Sequence, residues 1–249
     1  MILRGPRALW RLVCGVLLAL LGVLLCAFVF PCIAAPRRMR IVGWFCAHML
    51  ALLGIALHSS GEAQPAPVLL VANHISWLDI LAINAVQPAR FVAKADVRRW
   101  PIMGWMVACG GTLFIERERK RDALRVVHQV AAALMAGEIL AVFPEGTTSD
   151  GQGLLPFHAN LLQAAIATEA PVQPIALRFS DADSAVSAAA AFVGETTLLE
   201  SMGRVLWADS LRATVQLLPA EAIRQTDRRA LAERLRAQIA TALNPGSKG

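Results

Sequence analysis

Twenty-five consecutive residues, 12–36, carry no charge, and no other feature limits the fold so tightly. As an α-helix this run exceeds the roughly 20 residues that cross a hydrocarbon core. The apolar part of a secretory signal is only about 7–15 residues long, so a retained anchor is the expected outcome despite the small residues Ala34 and Ala35. A second apolar run, 41–57, is shorter and is interrupted by Gly43, His48 and Gly54.

The charge distribution supports a membrane role. Residues 1–61 hold six arginines (Arg4, Arg7, Arg11, Arg37, Arg38, Arg40) and no acid, whereas the remainder balances at 18 basic against 18 acidic groups. The excess positive charge therefore sits on the apolar segment, which points to anionic lipid headgroups and away from nucleic acid. Basic clusters flank the first run on both sides, and both should prefer the cytoplasm. A monotopic or re-entrant hairpin satisfies this preference, with a two-span anchor as the alternative. Four of the five cysteines (Cys14, Cys26, Cys32, Cys46) lie in the apolar stretches and no C-x-x-C pair occurs. Neither a disulfide framework nor a zinc site is expected, and a reducing, cytosol-facing catalytic unit fits. The organisation expected is a membrane-anchoring helical hairpin over 1–61 and a catalytic domain over 62–249.

After a turn-like stretch at 58–67, short apolar runs alternate with helical patterns, which predicts an α/β fold with a largely parallel sheet flanked by helices. Strands are expected at 67–72, 90–94, 112–117, 139–143, 172–179 and 213–218, and helices at 76–85, 122–135, 158–168, 197–207 and 227–243. In the last helix Leu231, Leu235, Ile239 and Leu243 recur every four residues, with Thr226 as its N-cap. His74, Lys94, Arg117 and Glu145 each fall at or just past the carboxyl end of an expected strand. In a parallel sheet they would share the edge where open α/β folds bind ligands.

The segment NHISWLD, residues 73–79, places a histidine five residues ahead of an aspartate. Five helical residues turn about 500°, so both can meet only if His74 sits on the strand-to-helix turn and folds back on Asp79. The carboxylate would then fix one imidazole nitrogen and leave the other as general base, with a substrate hydroxyl as nucleophile. The competing reading makes Ser76 the helix cap, Asp79 a dipole partner at N3 and His74 an incidental turn residue.

With GTLFIER at 111–117, FPEGT at 143–147 and PVQP at 171–174 following in order, the chain resembles the glycerolipid acyltransferase family over residues 68–177. The resemblance implies catalytic His74 and Asp79, an acceptor-phosphate contact from Arg117, and substrate contacts around Glu145, Gly146 and Thr147. Glu116 stands where an aspartate is common, and Thr148 where many phosphatidate-forming members carry arginine. Thr148 is thus expected to read the headgroup without a charge. Gly146 and Thr147 offer backbone amides for an anion or oxyanion, or form a plain strand-exit turn. Lys94 is either a phosphate point charge or a snorkelling surface lysine. Arg119, Lys120 and Arg121 read as solvated surface able to meet an acyl carrier protein or coenzyme A phosphates. His48 and His58 read as interfacial, and His128 and His158 as surface or capping residues.

The implied activity is transfer of a fatty acyl chain from acyl-CoA or acyl carrier protein to the hydroxyl of 1-acylglycerol-3-phosphate at the membrane, without metal or cofactor. Other acceptors within that chemistry are lyso-ornithine lipid, another lysophospholipid and glycerol-3-phosphate. A lipid hydrolase and a non-catalytic membrane module are the readings from other classes, and the absence of a G-x-S-x-G elbow counts against the commonest esterase design.

Overall fold

The computed structural model describes residues 4–115, 120–223 and 226–244, without the side chains of Arg4, Lys120 and Ala123. The chain opens with helix α1 (Arg4–Leu24), which continues through a π-turn at Leu25–Val29 and a 3-10 turn at Phe30–Cys32. Pro36 in the first turn of α2 (Ala35–Leu52) starts the return helix, since its missing N–H costs nothing there. The two helices form a hairpin whose first arm is long and apolar enough to cross a membrane.

Seven strands form one sheet in the order β1-β7-β6-β2-β5-β3-β4. They are β1 (Ala56–Ser60), β2 (Val68–Ala72), β3 (Arg90–Lys94), β4 (Leu113–Ile115), β5 (Ile139–Val142), β6 (Val172–Ser180) and β7 (Arg212–Leu217). The five strands from β6 to β4 are parallel, and β7 runs antiparallel to β6. Helices α3 (Leu78–Val86), α4 (Met103–Cys109), α5 (Lys120–Met135), α6 (Leu162–Thr168), α7 (Leu198–Trp207) and α8 (Arg228–Leu243) complete the fold.

Alternation along the strands builds two cores. Leu70, Ala72, Phe91, Ala141 and Phe143 face α2, α3 and α7, while Leu69, Val71, Val92, Leu140 and Val142 face α5, α6 and α8. Chain leaving β2 crosses the first face through α3 toward β3, and chain leaving β5 crosses the other face through α6 toward β6. Adjacent parallel strands whose connections diverge in this way open a crevice at their carboxyl ends.

Several expectations need correction. Residues 56–60, read as the end of an apolar run and the start of a turn, form β1, which pairs in parallel with β7 from Ala56↔Arg212 to Ser60↔Gln216. The sheet therefore starts before the expected boundary at 61/62, because an edge strand needs no strong apolar pattern and β1 is mostly exposed. The 3-10 turn Ala95–Arg99 and α4 were not anticipated, being too short to show periodicity. The N-cap of α8 is Asp227, not Thr226: its carboxylate reaches the amides of Arg229 and Ala230. His158 precedes helix α6, and its amide donates to the Pro144 carbonyl. Arg7 and Arg11, expected at lipid headgroups, are turned into the protein. Arg7 pairs with Asp209, and Arg11 donates to the carbonyls of Leu206 and Ala208 at 3.2 and 3.0 Å. These are the open carbonyls at the end of α7, where a cation is favoured.

Candidate active site

The crevice between β2 and β5 holds His74 and Glu145. Beyond the last residue of β2, Asn73 acts as a substitute for backbone: its amide donates to the Leu177 carbonyl at 3.0 Å and its oxygen accepts from the Leu177 amide at 2.8 Å. The sheet ladder thus continues for one more step without strand geometry, and the next residue is released into the turn.

His74 is held on four sides. Its amide donates to Glu145 Oε1 at 2.8 Å, and its carbonyl accepts from the Ser149 amide at 2.8 Å. Its ring lies on Phe143 with centroids 3.9 Å apart and planes 7° apart. Its Nδ1 meets Asp79 Oδ2 at 2.7 Å. The same carboxylate oxygen accepts the amides of Ile75 and Ser76 at 2.7 and 2.9 Å. Asp79, fully buried in the first turn of α3, therefore organises the whole turn. The Ser76 hydroxyl caps nothing, and the amides of Ile75 and Ser76, which precede the start of α3 at Leu78, are satisfied by Asp79 instead. With Nδ1–H donated to a carboxylate, the neutral imidazole carries its lone pair on Nε2, which has no protein partner among the described residues.

Glu145 is only 3% exposed. Its second oxygen accepts the Leu155 amide at 3.0 Å. Burial raises its pKa above the usual carboxylate range, and the two amide bonds oppose that shift only in part. Both of its oxygens bond protein amides, so the geometry is that of a brace between His74 and the 154–155 loop. That loop is tied in turn by Arg236 of α8, which donates to the carbonyls of Leu155 and Leu154 at 3.0 and 2.6 Å.

The other expected residues are distributed unevenly. Gly146 adopts φ 76°, a conformation glycine reaches freely, and its amide donates to the Phe143 carbonyl at 3.1 Å, so it is not the free donor expected. Thr147 is exposed at the turn's apex. The Thr148 hydroxyl, expected toward a headgroup, donates instead to the Phe192 carbonyl and pins the loop that also bonds Ile75 through the Phe192 amide. Lys94 ends β3 on the side of the sheet shared with Val92, opposite the Phe91–Phe143–His74 side, and pairs with Asp96 at 2.8 Å. Arg117 and Arg119 lie outside the described residues. The PVQP segment stands at the opposite, amino-terminal end of β6, where buried Gln173 ties Glu62, Gln64 and Leu218 together. It is a structural clasp remote from His74. Among the described residues no group of three or more His, Cys, Asp or Glu side chains is placed to hold a metal.

Sequence reasoning assigned no role to Asn73, Phe143, Ser149, Leu155 or Arg236. Asn73 and Phe143 lie inside the motifs and could have been found there. Arg236 carries no local signal, because its partners are 81 and 82 residues away.

A strand-end histidine held by a buried aspartate on an α/β scaffold is an arrangement chemically able to take up and return a proton. The acyltransferase family model matches residues 55–178. The chain is 38% identical over 208 residues to lyso-ornithine lipid O-acyltransferase of Pseudomonas aeruginosa, covering 84% of this chain and 80% of that protein. It is 37% identical over 194 residues to 1-acyl-sn-glycerol-3-phosphate acyltransferase of Neisseria meningitidis, covering 77% and 76%. The crystal structure of the 1-acyl-sn-glycerophosphate acyltransferase PlsC from Thermotoga maritima shares the fold, with TM-score 0.66 at 16% identity over 96% of this chain and 98% of that one. The chain is a member of the acyltransferase family and an enzyme.

Proposed function

We propose that the chain moves a fatty acyl group from a thioester to the free hydroxyl of a lysolipid at the cytosolic face of a membrane, with 1-acylglycerol-3-phosphate as acceptor. The observation that carries this reading is the 2.7 Å contact of His74 Nδ1 with buried Asp79, which leaves Nε2 poised over the crevice. Nε2 takes the acceptor's hydroxyl proton as the oxygen bonds to the thioester carbonyl carbon. The tetrahedral intermediate then expels the thiolate, which receives the same proton. The Thr147 amide, at the exposed apex of the turn, is the donor assigned to the transient oxyanion. Arg117 is assigned to the acceptor phosphate, so that Arg117→Lys raises acceptor KM more than it lowers kcat, because lysine lacks the bidentate fork.

Lyso-ornithine lipid is the second reading. It is favoured by the 38% identity to the Pseudomonas relative of that name. The membrane reading rests on the apolar exposed face of α1 and the π-turn that continues it, including Leu9, Leu17, Leu20, Leu24 and Phe28. Ala8, Leu18, Gly22 and Cys26 pack on the opposite side against the rest of the protein, so α1 is in contact with the catalytic unit near both ends. A helix held along its length in this way fits an in-plane, monotopic anchor.

The deciding experiment incubates purified protein with 1-acylglycerol-3-phosphate, lyso-ornithine lipid and other lysolipids, against acyl-CoA and acyl carrier protein thioesters, with products read by mass spectrometry. Diacyl product supports transfer and names acceptor and donor. Free fatty acid alone, with every acceptor unchanged, would assign a hydrolase and overturn the proposal.

A further inference from the structure

The connection between β3 and β4 places three large apolar side chains in solvent. Ile102 is 63% exposed, and Met103 and Trp105 are exposed beside it. Ile102 stands at φ 62°, ψ −55°, which a β-branched residue strongly resists. Such a conformation persists only where its surroundings enforce it. They do so here: the Gly104 amide donates to the Trp100 carbonyl at 2.9 Å, and the Met106 amide to the Ile102 carbonyl at 3.0 Å. Gly104 also lies so close to the Ala95–Arg99 turn that a Cβ on it would sit 2.4 Å from the Arg98 carbonyl oxygen. The segment is therefore a rigid wedge that holds an apolar tip outward.

The wedge adjoins α1. A Cβ at Gly22 would lie 2.6 Å from Met106 Cε, so α4 packs on the second half of α1, where Leu20, Leu24 and Phe28 are exposed. Arg98 and Arg99 are exposed at the base of the wedge, and Arg98 lies over the Phe114 ring at 5.8 Å. An apolar tip carrying a tryptophan, with arginines behind it, matches the layering of a membrane interface.

We propose that residues 98–105 form a second membrane-contact element, in which Ile102, Met103 and Trp105 enter the lipid beside α1 while Arg98 and Arg99 meet anionic headgroups. This rests on the reading of α1 as a membrane element. It also gives that element a function: the wedge follows the carboxyl end of β3, so it seats the bilayer at the sheet edge that carries His74. A lysolipid can then present its hydroxyl while its acyl chain remains in the membrane.

The test uses single cysteines carrying an environment-sensitive fluorophore at positions 103, 17 and 233, in a chain whose native cysteines are replaced. Leu17 reports α1, and exposed Glu233 reports the far side of the molecule. The proteins are reconstituted in vesicles of phosphatidylglycerol and phosphatidylethanolamine, with and without nitroxide-bearing acyl chains, and titrated with iodide. A label at 103 that is quenched by the lipid-borne nitroxide and shielded from iodide, like the label at 17 and unlike that at 233, is expected. A second label at Ile102 gives the same readout should Met103→Cys fold poorly. Free access of iodide to 103 with 17 shielded would overturn the proposal and leave the α1 anchor standing. Free access to both would overturn both. Shielding of 103 that depends on protein concentration and not on lipid would assign the tip to a second copy, which also overturns the proposal.

Discussion

Replacing Glu145 by glutamine separates a brace from a substrate ligand. In the native site Glu145 accepts the His74 amide at 2.8 Å and the Leu155 amide at 3.0 Å, so each carboxylate oxygen serves one backbone donor. Glutamine has one acceptor oxygen, and its NH2 must face the other amide. One buried hydrogen bond is lost and a donor is left unpaired, a cost of about 1–3 kcal/mol. At about 2–4 °C per kcal/mol for a chain of this size, Tm should fall by about 2–12 °C. Because the lost bond holds the backbone of His74, the proposed general base, kcat should fall by about ten-fold or more, since small displacements of a reacting group cost that much. Acceptor KM should stay within about two-fold, no binding contact having been removed. The pH dependence adds a check of sign. Burial raises the pKa of Glu145 above the ordinary 4.5, so above that value the folded chain binds more protons than the unfolded one. Wild-type stability then falls as pH rises through this window, the cost being absent below 4.5. Glutamine does not titrate, so the gap in Tm between wild type and variant should narrow with rising pH. Thermal unfolding across pH and steady-state kinetics measure these quantities. An unchanged Tm with a raised acceptor KM would refute the brace and make Glu145 a substrate contact.

Three further outcomes are expected. His74→Ala and Asp79→Ala should each reduce acyl transfer by about 10²–10⁴-fold with membrane binding intact, and activity within about three-fold of wild type would remove the general-base assignment. Arg236→Lys should lower kcat without changing acceptor KM, because a lysine cannot fork to the carbonyls of both Leu154 and Leu155, and an unchanged kcat would show that the loop holds Glu145 unaided. A cysteine at Met39, in a background without native cysteines, should resist an impermeant reagent applied to intact cells, since the Arg37–Arg38–Arg40 cluster favours the cytosol. Labelling from outside would restore a two-span anchor.

Much of this protein follows from local patterns. The uncharged run 12–36 determines a long apolar helix whatever surrounds it, and alternation of apolar runs with helical periods leads to the parallel sheet. The five-residue spacing of His74 and Asp79 permits their contact only on a strand-to-helix turn, and the contact is found there at 2.7 Å. Strand β1, α4 and the cap of α8 escaped because their signals are short, and neighbours decide among short alternatives. What tertiary structure alone decided is which polar groups already have partners. Thr148 and Gly146 look available for substrate in a linear motif, yet one donates to Phe192 and the other to Phe143. PVQP looks like a fourth site motif, yet parallel pairing with β2 puts it at the far end of the sheet. Arg236 joins the site through partners 81 and 82 residues away. A hydrogen bond's value depends on burial and on competing donors, and both are properties of packed neighbours distant along the chain.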